Sequence, residues 1–214
     1  EYYQEKYGSW QYGLGKLYLL MEKQHNRGQE GAGIGCINSR MEPGNDFIFR
    51  GRALGSSAIK ELFEEIYSGN IPEDKFNDPI WAAANLPFAG ESLMGHLRYS
   101  TTGRRGINYV HPFLRRSSWK SKNLLLCGNF NLTNVGDLFT TFMKEGQPPR
   151  TLADTFLMLE TLGAGIDNNV QKLVHSHENA NVTGPEMAEI ISESINLQQT
   201  LSAASENLDG GYVK

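Results

Sequence analysis

The sequence predicts an α+β fold. Helical periodicity flanks apolar runs of strand length, two of those runs are joined by a Pro-Gly turn, and the composition is that of an ordinary globular domain. The 214 residues hold 39% hydrophobic side chains, 21% charged side chains and 23 glycines, enough to bury a sizeable core. Residues 1–214 read as one domain, cut short.

The first element runs from Trp10 to Gln24, where Leu14, Leu17, Tyr18 and Met21 recur at helical spacing until Asn26 and Gly28 interrupt them. Gly31 to Asn38 and Asp46 to Arg50 follow as two strands, with Pro43-Gly44 between them supplying a hairpin turn. Ile59, Leu62, Phe63 and Ile66 mark a short amphipathic helix. From Gly69 to Gly90, three prolines and weak periodicity predict a long loop. Leu93 to Tyr99 and Asn123 to Gly128 are apolar enough for buried strands, and each is followed by a polar loop. Ala153 to Leu162 reads as a helix, and Thr183-Gly184-Pro185-Glu186 is a capping box ahead of Met187, Ile190, Ile191 and Ile195. Leu197 to Asn207, rich in Gln, Ser and Ala, reads as a linker, and Asp209 to Tyr212 as a turn into a further strand.

Composition narrows the function. A net charge of −4 and an isoelectric point near 5.8 give no electrostatic case for nucleic acid or an anionic membrane. No apolar run approaches the ~20 residues that span a bilayer, and the first residues have neither the basic nor the apolar region of a signal peptide. Cys36 and Cys127 sit in apolar stretches, as reduced core thiols of a cytoplasmic protein do. Small, mixed-charge partners fit this chain best.

Four places carry chemistry, each beside a plainer alternative. His25-Asn26-Arg27-Gly28-Gln29-Glu30 crowds polar side chains, Arg27 among them, into a helix-to-strand junction; a solvated loop with a glycine stop would look the same. Gly95 to Gly103 ends an apolar strand in Arg98, Ser100, Thr101 and Thr102. A guanidinium there can grip a carboxylate through two parallel hydrogen bonds, with hydroxyls supplying further donors, or it can form a structural ion pair. Asn129-Phe130-Asn131-Leu132-Thr133-Asn134 emerges from a strand as oxyanion-hole donors do, but equally as an Asx-turn network. Asp154 opens a helix, where a carboxylate often merely caps.

Weaker features yield to plain readings. Gly13-Leu14-Gly15-Lys16 lacks phosphate-loop spacing, His175-Ser176-His177 lacks further metal ligands, and the basic patch from Arg115 to Lys120 reads as a solvated loop. There is no G-x-S-x-G elbow.

Taken in order, QHNRGQEGAGI, GHLRYSTTG, NFNLTN and ADT resemble the glutaminase domain of the amidophosphoribosyltransferases, which are class II, N-terminal-nucleophile glutamine amidotransferases. The resemblance spans Gly13 to Leu162 well and then thins. Arg-Gly-Gln-Glu and Arg-Tyr-Ser-Thr are similar to the purine-pathway enzymes rather than to their sugar-phosphate-aminating relatives.

The resemblance implies an αββα sandwich of two antiparallel sheets with outer helices. It implies that Arg98 holds the glutamine α-carboxylate, Asp154 its α-ammonium, and Asn129 with the Phe130 backbone N–H the oxyanion; Ser100, Thr101 and Arg27 join the substrate site. The family's nucleophile is an amino-terminal cysteine, and neither Cys36 nor Cys127 occupies that place. The expectation is a preceding strand that carries it, with a catalytically inactive glutamine-binding or interaction domain as the alternative.

Phe130 stands where similar sequences have glycine, a costly change if that backbone needs a positive φ. No paired aspartates with a hydroxyl-rich phosphate loop follow, so phosphoribosyl transfer is expected of a phosphoribosyltransferase domain in cis or trans. Any Mg2+ would belong there, with no cofactor in this domain. Glutamine is the expected ligand, and a homo-oligomer the expected assembly.

Overall fold

The computed structural model describes residues 2–69, 71–99, 106–178 and 180–211. The fold is α+β, with every described strand pair antiparallel, and it divides into a unit ending at Pro112 and a unit beginning at Phe113.

In the first unit, α1 (Tyr2–Tyr7) and α2 (Tyr12–Gln24) precede a single 3-10 turn over His25–Arg27. The strands β1 (Gly31–Ile37), β2 (Ile48–Leu54) and β3 (Ser92–Arg98) form one sheet in the order β2-β1-β3, and α3 (Ala58–Tyr67) falls between β2 and β3 in the chain. Side chains alternate across this sheet. Ala32, Ile34, Ala53, Leu93 and Leu97 face a core built with Leu14 and Met21 of α2 and Ile59, Leu62 and Phe63 of α3. Burying Ile34, Ile59 and Leu62 almost completely stabilises the unit by about 1.5–3 kcal/mol each. β2 outlasts the expected end at Arg50 because Gly51 and Ala53 keep the inward face small and apolar.

The expected loop from Gly69 to Gly90 is wrong in its centre, which holds α4 (Pro79–Asn85). Asp78 caps that helix by accepting from the Ile80 and Trp81 backbone N–H groups at 3.1 and 2.9 Å, and Pro79 suits its first turn. Buried Asn38, just past β1, closes the other end by donating to the carbonyls of Ala83 and Leu86.

In the second unit, β4 (Phe113–Arg115) pairs with β5 (Leu124–Leu126), and β6 (Asn131–Leu132) precedes α5 (Val135–Lys144). The helix expected over Ala153 to Leu162 continues to Ser176 as α6 (Asp154–Ser176), because Ile166 and Val170 extend its buried stripe. The capping box at Thr183 and Glu186 forms and opens α7 (Gly184–Ser194). The expected linker from Leu197 to Asn207 is instead α8 (Leu197–Glu206), capped by Asn196 and docked on α6 through buried Thr200, whose hydroxyl accepts from Asn169 at 2.7 Å. β7 (Gly210–Gly211) pairs with β6, as a turn leading into a strand requires.

Among the described residues no group of His, Cys, Asp and Glu could hold a metal ion, and no helix is long and apolar enough to cross a membrane.

Candidate active site

The face of the first unit's sheet opposite its core is unusual in composition. Along β1 it presents Gly31, Gly33 and Gly35; the residues paired beside them are Leu54, Arg52 and Arg50 on β2 and Arg98, His96 and Met94 on β3. Three glycines between cationic and imidazole side chains make a trough, and the segment Tyr109 to Pro112 lies in it. A Cβ on Gly33 would overlap the His111 carbonyl, and one on Gly31 would stand 3.2 Å from Val110 Cγ2. Gly33 is therefore required by a close approach of backbone to backbone.

Arg98 closes β3, and its side chain is only 12% exposed. Its Nη1 donates to the Tyr109 carbonyl, its Nε lies 3.9 Å from Glu30 Oε2, and its guanidinium carbon sits 5.6 Å from the Tyr109 ring centroid. Beside it, Arg52 Nη1 donates to the Val110 carbonyl at 3.2 Å, and the His96 and His111 rings lie 4.2 Å apart. Burial first, then the charges of His96, Arg98 and Arg52, push His111 down to about 3, so it is neutral near pH 7. Arg27 occupies the exposed 3-10 turn after α2. Ser100 and Thr101 lie outside the described residues.

The second unit holds the other predicted site residues. Asn129 is exposed in the turn between β5 and β6. Phe130 needs no positive φ, since among the described residues only glycines adopt one. Its ring folds back over Gly128, where a Cβ would lie 2.6 Å from Phe130 Cε2, and packs against the cluster of Leu132, Leu138, Phe142, Leu157 and Met158. The anticipated strain is thus absent, and the bulk at Phe130 is accommodated by glycine two residues earlier. Leu157 and Met158 lie within about a turn of Asp154, so the Asn129 turn and the start of α6 share one apolar anchor.

Asp154 Oδ1 accepts from the Thr155 backbone N–H at 2.7 Å, a local contact at the helix start. Thr133 and Asn134 have structural work: the first bonds Asp209, the second the backbone of Asn207 and Asp209. The Asx-network reading therefore describes the end of NFNLTN, while Asn129 stands apart from it.

Neither cysteine is activated. Burial pushes Cys36 up to about 11 and also raises Cys127, which disfavours the thiolate in both. Sequence reasoning overlooked Arg52, His96, Tyr109 and His111. Alternation of Arg50 and Arg52 in β2 against a Gly-x-Gly-x-Gly strand was the available signal.

No family model matches the chain. Over 145 residues, 68% of the chain, it is 30% identical to amidophosphoribosyltransferase 3, chloroplastic, of Arabidopsis thaliana and 31% identical to the amidophosphoribosyltransferase of Archaeoglobus fulgidus; these matches cover 22% and 25% of those proteins. A Staphylococcus aureus amidophosphoribosyltransferase is 27% identical over the same length, 24% of its own. The chain is thus similar to amidophosphoribosyltransferases over about two thirds of its length, and spans about a quarter of theirs.

Proposed function

We propose that the chain is the glutamine-binding and glutamine-hydrolysing part of an amidophosphoribosyltransferase, built as an αββα N-terminal-nucleophile sandwich. The observation that carries the proposal is Arg98: a largely buried guanidinium at a strand end that donates to the Tyr109 backbone carbonyl. A guanidinium held at a strand end in this way presents planar N–H donors of the geometry that grips a carboxylate, which suits it to the α-carboxylate of glutamine.

Asp154 takes the α-ammonium, with Arg27, Ser100 and Thr101 as further substrate contacts. A thiolate from an amino-terminal cysteine, which is neither Cys36 nor Cys127, attacks the side-chain amide carbon. The oxyanion that forms is held by the Asn129 side-chain amide and the Phe130 backbone N–H, donors of a kind worth ~3 kcal/mol of barrier each. Ammonia leaves, and water hydrolyses the γ-glutamyl thioester through a second oxyanion. The cysteine's own α-amine, with an ordinary pKa of about 7.7–8.0, serves as the base. Ammonia then passes to phosphoribosyl diphosphate on a phosphoribosyltransferase domain, in cis or in trans.

The second reading is a glutamine-binding or interaction domain of the same fold without hydrolysis. The protein as its gene encodes it, treated with a diazo-ketone glutamine analogue and weighed intact, separates the two. One adduct on a cysteine other than Cys36 or Cys127 supports hydrolysis; no adduct, with glutamine binding retained, supports the second reading.

A further inference from the structure

The trough holds a residue that no motif contains and that the reading above leaves without a role. Three successive carbonyls, those of Tyr109, Val110 and His111, are each placed by the sheet: Arg98 of β3 donates to the first, Arg52 of β2 to the second, and the third rests over Gly33 of β1. Gly33 pairs directly with Arg52 on one side and His96 on the other, so these contacts lie side by side across three strands. The far end of the segment is fixed as well, since the Tyr109 and Val110 N–H groups donate to the Gly106 and Ile107 carbonyls, each at 3.1 Å.

Arg98 is therefore aimed by a carbonyl one residue away from the carbonyl that Arg52 grips. We infer that Arg52 is a positioning residue for the carboxylate reader: it clamps the Tyr109 to Pro112 segment into the glycine trough and so holds the Tyr109 carbonyl where it orients the Arg98 guanidinium. This rests on the proposal that Arg98 binds the α-carboxylate of glutamine. Arg52 touches no substrate in this scheme; it acts through two adjoining peptide groups.

Among the described residues, the groups that face the segment are Arg52 from β2, His96 and Arg98 from β3, and His111 of the segment itself, with Glu30 3.9 Å from Arg98.

The test is calorimetric titration of the full chain with L-glutamine and with L-glutaminamide, which keeps the side chain and the ammonium but has an amide in place of the α-carboxylate. Wild type is expected to prefer glutamine. Arg52→Met is expected to weaken glutamine by about tenfold, the scale of one misplaced charge-assisted hydrogen bond, while glutaminamide changes little, so the preference collapses. Arg52→Lys, which still donates to the Val110 carbonyl, should retain most of the preference. Arg52→Gln, whose shorter amide fails to reach, is expected to behave as the Met variant does and replaces it if that variant does not fold.

An unchanged preference in Arg52→Met, or an equal loss for both ligands, overturns the positioning role. If that occurs while Arg98→Ala still abolishes the preference, the glutamine reading stands and only the inference falls. No preference in wild type removes both.

Discussion

Arg98 and Arg115 are both partly buried arginines at strand ends, and their surroundings differ in one respect. Arg115 meets carboxylates: its Nη2 lies 2.5 Å from Asp167, its Nε 3.7 Å from Glu160, and Lys122 closes the group on Asp167 at 3.2 Å. Even its stem is accommodated, since a Cβ on Gly163 would lie 2.5 Å from Arg115 Cδ. Arg98 donates to the Tyr109 carbonyl, has its guanidinium 5.6 Å from the Tyr109 ring centroid and lies 3.9 Å from Glu30. The short contact to Asp167 braces Arg115 within its own unit, whereas the proposed function gives Arg98 a ligand to bind. The sequence places Arg98 at the end of an apolar strand but Arg115 in a solvated basic loop; the latter reading is wrong, because Arg115 ends β4 and is drawn in by Asp167 and Glu160.

The largest expected effect is on ligand binding. Arg98→Ala should cut glutamine affinity by on the order of 100-fold, the usual consequence of truncating one side of a hydrogen-bonded charge pair, and calorimetry would read it. Retained affinity would place Arg98 with Arg115 among the braces.

Next comes Gly33→Ala. Its methyl meets a backbone carbonyl that cannot swing aside, so the first unit should lose about 1–3 kcal/mol in a urea titration. Arg115→Met should cost about 1–2 kcal/mol of the second unit's stability, a figure kept low because Asp167 and Glu160 are 35% and 29% exposed. Glutamine affinity should not change.

pH separates the two regions further. His111 ordinarily titrates near 6.5 and is held at about 3, so the unfolded chain takes up a proton there first. Stability from this site is complete above pH 6.5 and is lost as pH falls from there toward 3. For Asp167 burial acts to raise the carboxyl, but hydrogen bonds and charge from Arg115 and Lys122 outweigh it and hold it low. That contribution is intact above the ordinary carboxylate range near 3.8 and is lost only below it. Hydrogen exchange at pH 5 should therefore show the first unit loosened relative to pH 7.5 and the braced helix α6 unchanged.

Thr183→Ala has the smallest expected effect. It removes a capping box and should cost about 1 kcal/mol without touching ligand binding.

What the chain discloses unaided follows the same division. Local rules were readable: the Thr183 box, the α3 stripe of Ile59, Leu62 and Phe63, and Arg98 at the end of an apolar strand. Elements whose signals compete were misread. Three prolines hid α4, although Asp78-Pro79 is a sound helix start, and polar composition hid α8, although Asn196 caps it and Gln and Ala favour helix. α5 passed unmarked despite Leu138 and Phe142 one turn apart, and β4 is too short for periodicity to register. The trough lay beyond sequence reasoning for another reason. Gly33, Arg52, His96 and His111 come from four separate stretches, and only sheet register brings them together. Phe130 shows the converse: its feared strain depended on a backbone conformation that the fold does not use.

The most direct test of the account titrates L-glutamine into the chain and its Arg98→Ala and Arg115→Met variants, side by side, after denaturant midpoints have been measured for each. The account predicts that Arg98→Ala stays folded and loses glutamine, while Arg115→Met loses stability and keeps glutamine affinity. Equal glutamine affinity in the two variants would contradict it, because Arg98 would then be no more a ligand reader than Arg115.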